Sequence, residues 1–349
     1  MIKSLTSLRM VFALMVFFSH IKFVDEGSFF YSAHRSFLNQ GFIGVSFFFM
    51  LSGFVLAFSY NKKPIQNLSD LKVYFFKRFL KIYPSFWVSL ACSLFFSGGF
   101  FLFTNWHKIF LANLFLVQSW IPILEYQFYL NSPAWSLSVE VFLYLSFPLL
   151  LKSINNYPMK LIFIILGMSL SALFISLFYL PESDMVKYFL YLSPIVHLFE
   201  FAIGMFLQKI LSFYKERISL RVNTFTEISV LVLGFILILF HKNIPENFRY
   251  NLYYLPFIIL IIGVFSFENG MISNVLKNKW SVYLGNISYQ FYLFHFLVLT
   301  YWRSYFSQQF SSTQIVLISL VSTFLVSIVM YELVEKKCML LAKRKRSQV

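Results

Sequence analysis

Residues 9–20 read RMVFALMVFFSH, and every residue between Arg9 and His20 except Ser19 is apolar. A helix turns about 100° and rises about 1.5 Å per residue, so eleven steps return to within roughly 20° of the starting direction, about 16 Å further along the axis. That rise is close to one leaflet of a bilayer core about 30 Å thick. Ionisable groups are costly in hydrocarbon and usually face a bundle interior or a water-filled cavity, so Arg9 and His20 are candidates for function.

Composition places the whole chain in the same solvent. Of its 349 residues, 59% are hydrophobic and 12% charged, with a mean hydropathy of +0.72, whereas a soluble domain is about 25% charged. The net charge of +15 does not point to nucleic acid, because most Lys and Arg flank long apolar runs, the pattern of positive-inside topology. The two cysteines give no disulfide or metal site, since Cys92 falls in a predicted span and Cys338 in a basic tail.

The expected fold is all-α, a polytopic membrane bundle of about ten spans in one domain, residues 1–349. Apolar runs of spanning length fall near 8–25, 41–60, 82–103, 132–151, 161–180, 188–208, 223–241, 251–267, 281–302 and 313–333, followed by a basic tail, 335–349. With both termini cytoplasmic, 22 of the 29 Lys and Arg lie inside. Lys22, Arg35, Lys108, Lys187, Lys242, Arg249 and Arg303 remain outside. An eleventh span over 109–123 would move three later basic loops outside, and Asn113, Gln118 and Pro122 interrupt it. The sequence reads it as interfacial or re-entrant. The first span is expected to be retained rather than cleaved as a signal peptide, because it carries His20 and runs into FVDEGSFFYS. With no internal repeat and no room for an ordinary soluble domain, the bundle is expected to carry the function.

Four further stretches hold polar groups where a purely structural span needs none. GFIGVSFFFMLSGF puts Ser52 and Gly53 near mid-depth, for which close helix packing is an equal explanation. YFFKRFLKIYP puts Lys77, Arg78 and Lys81 at the inner surface. Arg78 and Lys81 share a face suited to a phosphorylated ligand, although a topogenic or headgroup-binding patch would look the same. NSPAWSLSVEVFLYLSFP spaces Ser136, Glu140 and Tyr144 along one face; the alternative for Glu140 is a hydrogen-bonded structural carboxyl. SVYLGNISYQFYLFHF does the same with Ser288, Tyr292 and His295, where a packed core histidine is the alternative. His197 and Glu200, three apart, read best as a structural ion pair. Counted at about 1.5 Å per residue from the outer ends, His20, Glu140 and His295 share a layer roughly 8 to 12 Å deep. Arg9, Arg78 and Lys81 fall in a second layer at the inner surface, giving an anion site inside and a proton-transfer site deeper in.

Taken in order, Arg9 and His20 after LTSLR, GVSFFFMLSGF, KRFLKIYP, PAWSLSVEVFLYLSFP, FEFAIG, and LGNISYQFYLFHF with LVEKK resemble the bacterial integral-membrane acyltransferase 3 family over nearly the whole chain. That resemblance implies O-acylation, in particular O-acetylation, of cell-surface carbohydrate in the bacterial cytoplasmic (inner) membrane. It implies His20 as the essential histidine with Arg9 as its partner. It also implies Arg78 and Lys81 as the basic pair, Ser52 and Gly53 as the serine-glycine motif, and Trp135, Ser136 and Glu140 as the tryptophan-serine-glutamate motif. Lys81 stands where arginine is usual, which exchanges a bidentate phosphate contact for a point charge. His197 stands where an arginine is common before the FEF motif. No esterase-like domain follows, so a stand-alone form is expected.

The implied donor is cytosolic acetyl-CoA, used as a substrate with no permanently bound cofactor or metal. Its phosphates would meet Arg9, Arg78 and Lys81, and its thioester would reach His20, acting with Glu140 as general base or as an acetyl-histidine nucleophile. Ser52, Trp135 and Ser136 are candidate oxyanion donors, with Tyr292 and His295 in support. The acceptor is expected to be a surface glycan or lipid-linked oligosaccharide, the remaining partners being membrane lipids. A glycan transporter or flippase, or a structural membrane protein, are the other classes compatible with these residues.

Overall fold

In the computed structural model, residues 2–62, 64–96, 104–179, 183–215 and 222–346 are described, and they contain helices and no strand. All ten predicted spans fall on helices: α1 (Lys3–Ser19), α2 (Phe42–Lys62), α3 (Leu68–Phe96), α4 (Trp135–Asn156) and α5 (Met159–Tyr179), then α6 (Pro194–Lys215), α7 (Thr224–Phe240), α8 (Leu255–Phe265), α9 (Lys279–Phe306) and α10 (Ser312–Met330). A further helix, α11 (Lys336–Arg346), carries the basic tail. Residues 97–103 and 180 of the predicted third and fifth spans, Lys63, Arg217 and Arg221 of the predicted inner loops, and 347–349 of the tail lie outside the described residues.

Seven helical segments among the described residues are long and apolar enough to cross a membrane: 42–61, 68–96, 132–156, 159–177, 188–214, 224–243 and 312–342. The chain is an all-α, polytopic membrane protein. Of the other predicted spans, α1 has 17 residues and α8 only 11. The third, α9, is long at 28 residues but carries Ser, Asn, Gln, Tyr and His along its length.

Several boundaries differ from the sequence reading for identifiable reasons. The third span was placed at 82–103, yet α3 starts at Leu68. Asn67 Oδ1 accepts the Asp70 amide at 2.9 Å and Asp70 Oδ2 accepts the Gln66 amide at 3.0 Å, a reciprocal N-terminal cap. Lys77, Arg78 and Lys81 therefore sit inside a helix rather than on a loop entering one. The eighth span was placed at 251–267; α8 begins with Pro near its first position, where proline's fixed φ and missing N–H are tolerated. The stretch 109–123 holds a nine-residue helix, Trp106–Leu114, about 14 Å long. It stops where Leu116 takes φ 54°.

The chain forms two compact units. The first comprises Met1–Phe12, Phe42–Pro64 and Phe142–Gly285; the second comprises Ala13–Gly41, Ile65–Val141 and Asn286–Val349. In the first, α2 and α6 touch backbone to backbone. A Cβ on Gly53 would collide with the Phe201 carbonyl, and one on Gly204 with the Met50 carbonyl. Close approach through small residues is a usual membrane packing device, and it accounts for Gly53. Asn61 Nδ2 donates to Gln208 Oε1 at 2.7 Å across the same pair of helices. Glu227, fully buried, accepts the amides of Gly270 and Ile272 at 3.1 and 3.0 Å and the Ser273 hydroxyl. Those bonds compensate its desolvation and cap the short helix Met271–Leu276.

In the second unit, α3 and α9 are pinned by polar contacts. Tyr289 Oη donates to the Ile82 carbonyl at 3.0 Å, and Gln290 Nε2 donates to Ser85 Oγ at 2.9 Å. Around them Phe291 packs on Phe17 and Phe324, with ring centroids 5.8 and 4.9 Å away.

Candidate active site

His20 follows the last residue of α1, its amide donating to the Phe17 carbonyl at 3.0 Å. The imidazole lies parallel to that of His295, centroids 5.2 Å apart and planes 7° apart, and edge-on to Phe296 at 5.3 Å. It forms no hydrogen bond with any described residue. A base at this position therefore keeps its ring nitrogens available for a ligand.

His295 is fully buried on α9. Its Nδ1 lies 2.6 Å from the Tyr292 carbonyl, and a carbonyl can only accept, so Nδ1 bears the hydrogen. Nε2 then holds the lone pair of the neutral ring, and it is buried with no hydrogen-bond partner. An unmet buried acceptor is costly, and here it belongs to the ring stacked on His20.

Tyr292 extends the arrangement to α4. Its hydroxyl is 2.7 Å from Ser136 Oγ, and both hydroxyls reach the Pro133 carbonyl, at 3.3 Å from Tyr292 and 2.9 Å from Ser136. Asn131 Nδ2 donates to the Leu293 carbonyl at 2.9 Å, tying the approach to α4 onto α9. The nine-residue helix and the turn after it brace the same place. Gln118 Nε2 donates to the Ala134 carbonyl at 3.0 Å, and Ser119 Oγ donates to that of Trp135 at 2.6 Å.

Glu140 is half-buried and acts electrostatically on Tyr292. The groups that act on His20 are His295, Lys22 and His34. His295 occupies the face of His20.

The basic pair lies in the same unit. Arg78 stands over the Tyr74 ring, 5.8 Å from its centroid, and Lys81 over the Tyr289 ring at 4.9 Å. Lys81 also forms an ion pair with Glu335, whose other oxygen accepts Gln290 Nε2 at 2.6 Å. Glu335 is 4% exposed, so half the basic pair is already neutralised inside the protein. The sequence reading missed Glu335 and Gln290 as partners; the signal was a carboxylate in LVEKK at the end of an apolar helix. Arg9, Ser52 and Gly53 belong to the first unit. Arg9 is half-buried and makes no hydrogen bond or ion pair with described residues.

A sequence model described as an acyltransferase domain matches residues 2–332. The chain belongs to this acyltransferase 3 family. It is 37% identical over 170 residues to the acyltransferase MdmB of Streptomyces mycarofaciens, a match covering 45% of this chain and 41% of that protein. It is 25% identical over 293 residues to the peptidoglycan O-acetyltransferase OatA of Listeria monocytogenes, covering 77% of this chain and 47% of that one. The chain thus spans less than half the length of these curated relatives. No solved structure matches it.

Proposed function

We propose that the chain is a membrane O-acyltransferase that moves an acetyl group from cytosolic acetyl-CoA to a hydroxyl of a surface or lipid-linked carbohydrate, in the bacterial cytoplasmic membrane. Family membership and relatives named for acyl and O-acetyl transfer support the reaction class. The observation that carries the site assignment is His20, an imidazole with no hydrogen-bond partner among the described residues, stacked on a histidine whose Nε2 is also unmet.

In this reading His20 takes the proton of the acceptor hydroxyl as the oxygen attacks the thioester carbonyl. The C–S bond of the tetrahedral adduct then breaks, and His20 returns the proton to the departing thiolate. Tyr292 and Ser136 present hydroxyls near the stacked rings, and Glu140 biases Tyr292 electrostatically. Arg78 serves the donor phosphates, with Lys81 contributing once its pairing to Glu335 is shared with the ligand. An acetyl-histidine intermediate on His20 is the two-step variant.

Thioester consumption by the protein in lipid nanodiscs, with acetyl-CoA and a crude glycan extract, tests the reading. Acceptor-dependent CoA release abolished by His20→Ala supports it. Glycan movement without thioester consumption would replace it with a transporter.

A further inference from the structure

The first unit contains a small, partly open recess lined by Ser46, Glu200, Arg249, Tyr250 and Tyr254 among others, which no role above uses. Glu200 lines it and pairs with His197. His197 Nδ1 is 2.9 Å from Glu200 Oε2, and Nε2 is 2.7 Å from the Tyr191 carbonyl. That carbonyl only accepts, so Nε2 carries a hydrogen, and the Nδ1–Oε2 contact must enclose another. Whether this proton rests on the ring or on the carboxyl, the pair as a whole is uncharged.

Glu200 is engaged by His197 and forms no ion pair with Arg249. The Arg249 Nε is buried with no hydrogen-bond partner, and its guanidinium enters no ion pair or hydrogen bond among the described residues. Tyr250 donates its hydroxyl to Glu246, whose exposed carboxylate is screened by solvent. Burial first, and that bond second, push the Tyr250 phenol above its ordinary range, so no phenolate balances the arginine. The Ser46 hydroxyl bonds no described residue, and Ser46 also lines the recess. A guanidinium is always protonated and is shaped to meet two oxygens of one anion.

We propose that this recess is an anion-binding subsite in which Arg249, assisted by Ser46, takes the oxygens of a phosphate ester or carboxylate. The charge topology read from the sequence puts Arg249 on the outer side, where the anion would be the acidic group of a glycan acceptor or a lipid headgroup. The acceptor assignment rests on the acyltransferase reading; the binding does not.

The test is thermal unfolding of the full chain in phosphatidylcholine nanodiscs, with glucuronate, inorganic phosphate or glucose added and no thioester present. The midpoint rises with either anion and not with glucose, Arg249→Gln removes the rise, and Arg249→Lys keeps part of it. A rise that needs phosphatidylglycerol in the disc, and is lost with Arg249→Gln, makes a lipid headgroup the source of the same anion. No response to any of these anions, or an equal response in Arg249→Gln, overturns the subsite. If Arg249→Gln does not fold, Ser46→Ala carries the test, with a several-fold loss of anion affinity expected and an unchanged affinity overturning the proposal. Thioester consumption is measured separately, so failure of the subsite and failure of the acyltransferase reading give different results.

Discussion

The imidazoles of His20 and His295 lie 5.2 Å apart and 7° from parallel, the first with no hydrogen bond among the described residues and the second with a buried, unmet Nε2. A pair held this way is suited to receive a proton without first surrendering an existing bond. His295→Phe keeps a ring in the stack and removes both nitrogens. We expect it to fold, with a thermal midpoint close to native, and to lose acyl transfer by about a hundredfold or more, within the range of general acid–base contributions. Steady-state CoA release and a melting curve on the same preparation check this; full activity would make His295 a packing residue.

Tyr292→Phe removes a hydroxyl shared with Ser136 and Pro133. Ser136 retains its own bond to the Pro133 carbonyl, so no buried carbonyl is stranded. The stability loss should be about 1 kcal/mol, the net worth of one hydrogen bond. Denaturant unfolding in mild detergent measures it, and a loss several times larger would mean that Tyr292 holds the α4–α9 contact by itself.

Glu335→Ala leaves Lys81 without the carboxylate it pairs with. Breaking a buried ion pair from one side costs about 3 kcal/mol or more. The double variant Lys81→Met with Glu335→Leu should recover much of that loss. Comparing the single and double variants by thermal unfolding separates a stranded charge from lost packing. Equal losses in the two would contradict the charge explanation.

Gly53→Ala and Gly204→Ala each drive a methyl group into a facing carbonyl, and each should destabilise the first unit by about 1 to 3 kcal/mol. Gly167→Ala is the control, because nothing lies within 4 Å of a Cβ there. In that helix it should be neutral or slightly stabilising, as alanine is the better helix former. An equal response at all three positions would remove the close-packing account of Gly53.

The helical fold was legible because membrane spans announce themselves by length and apolarity, and all ten runs fall on helices. Their ends were less so: α3 begins fourteen residues before the apolar run at 82, because a cap at Asn67 and Asp70 extends it through a charged segment. Helical periodicity put Ser136 on one face of α4 and Tyr292 on one face of α9, and the structure joins them at 2.7 Å. Periodicity within one helix says nothing of which helix lies opposite. It therefore could not reveal that His20 stacks on His295, or that Glu335 reaches Lys81 from 254 residues away. Gly53 was ambiguous for the same reason until its facing carbonyl was known.

The most direct test of the central claim is acceptor-dependent release of CoA from acetyl-CoA by the native chain and by His20→Ala in nanodiscs. The account predicts turnover in the native protein and a loss on the order of a hundredfold or more in His20→Ala, with an unchanged melting temperature. Undiminished turnover in a folded His20→Ala protein would contradict it.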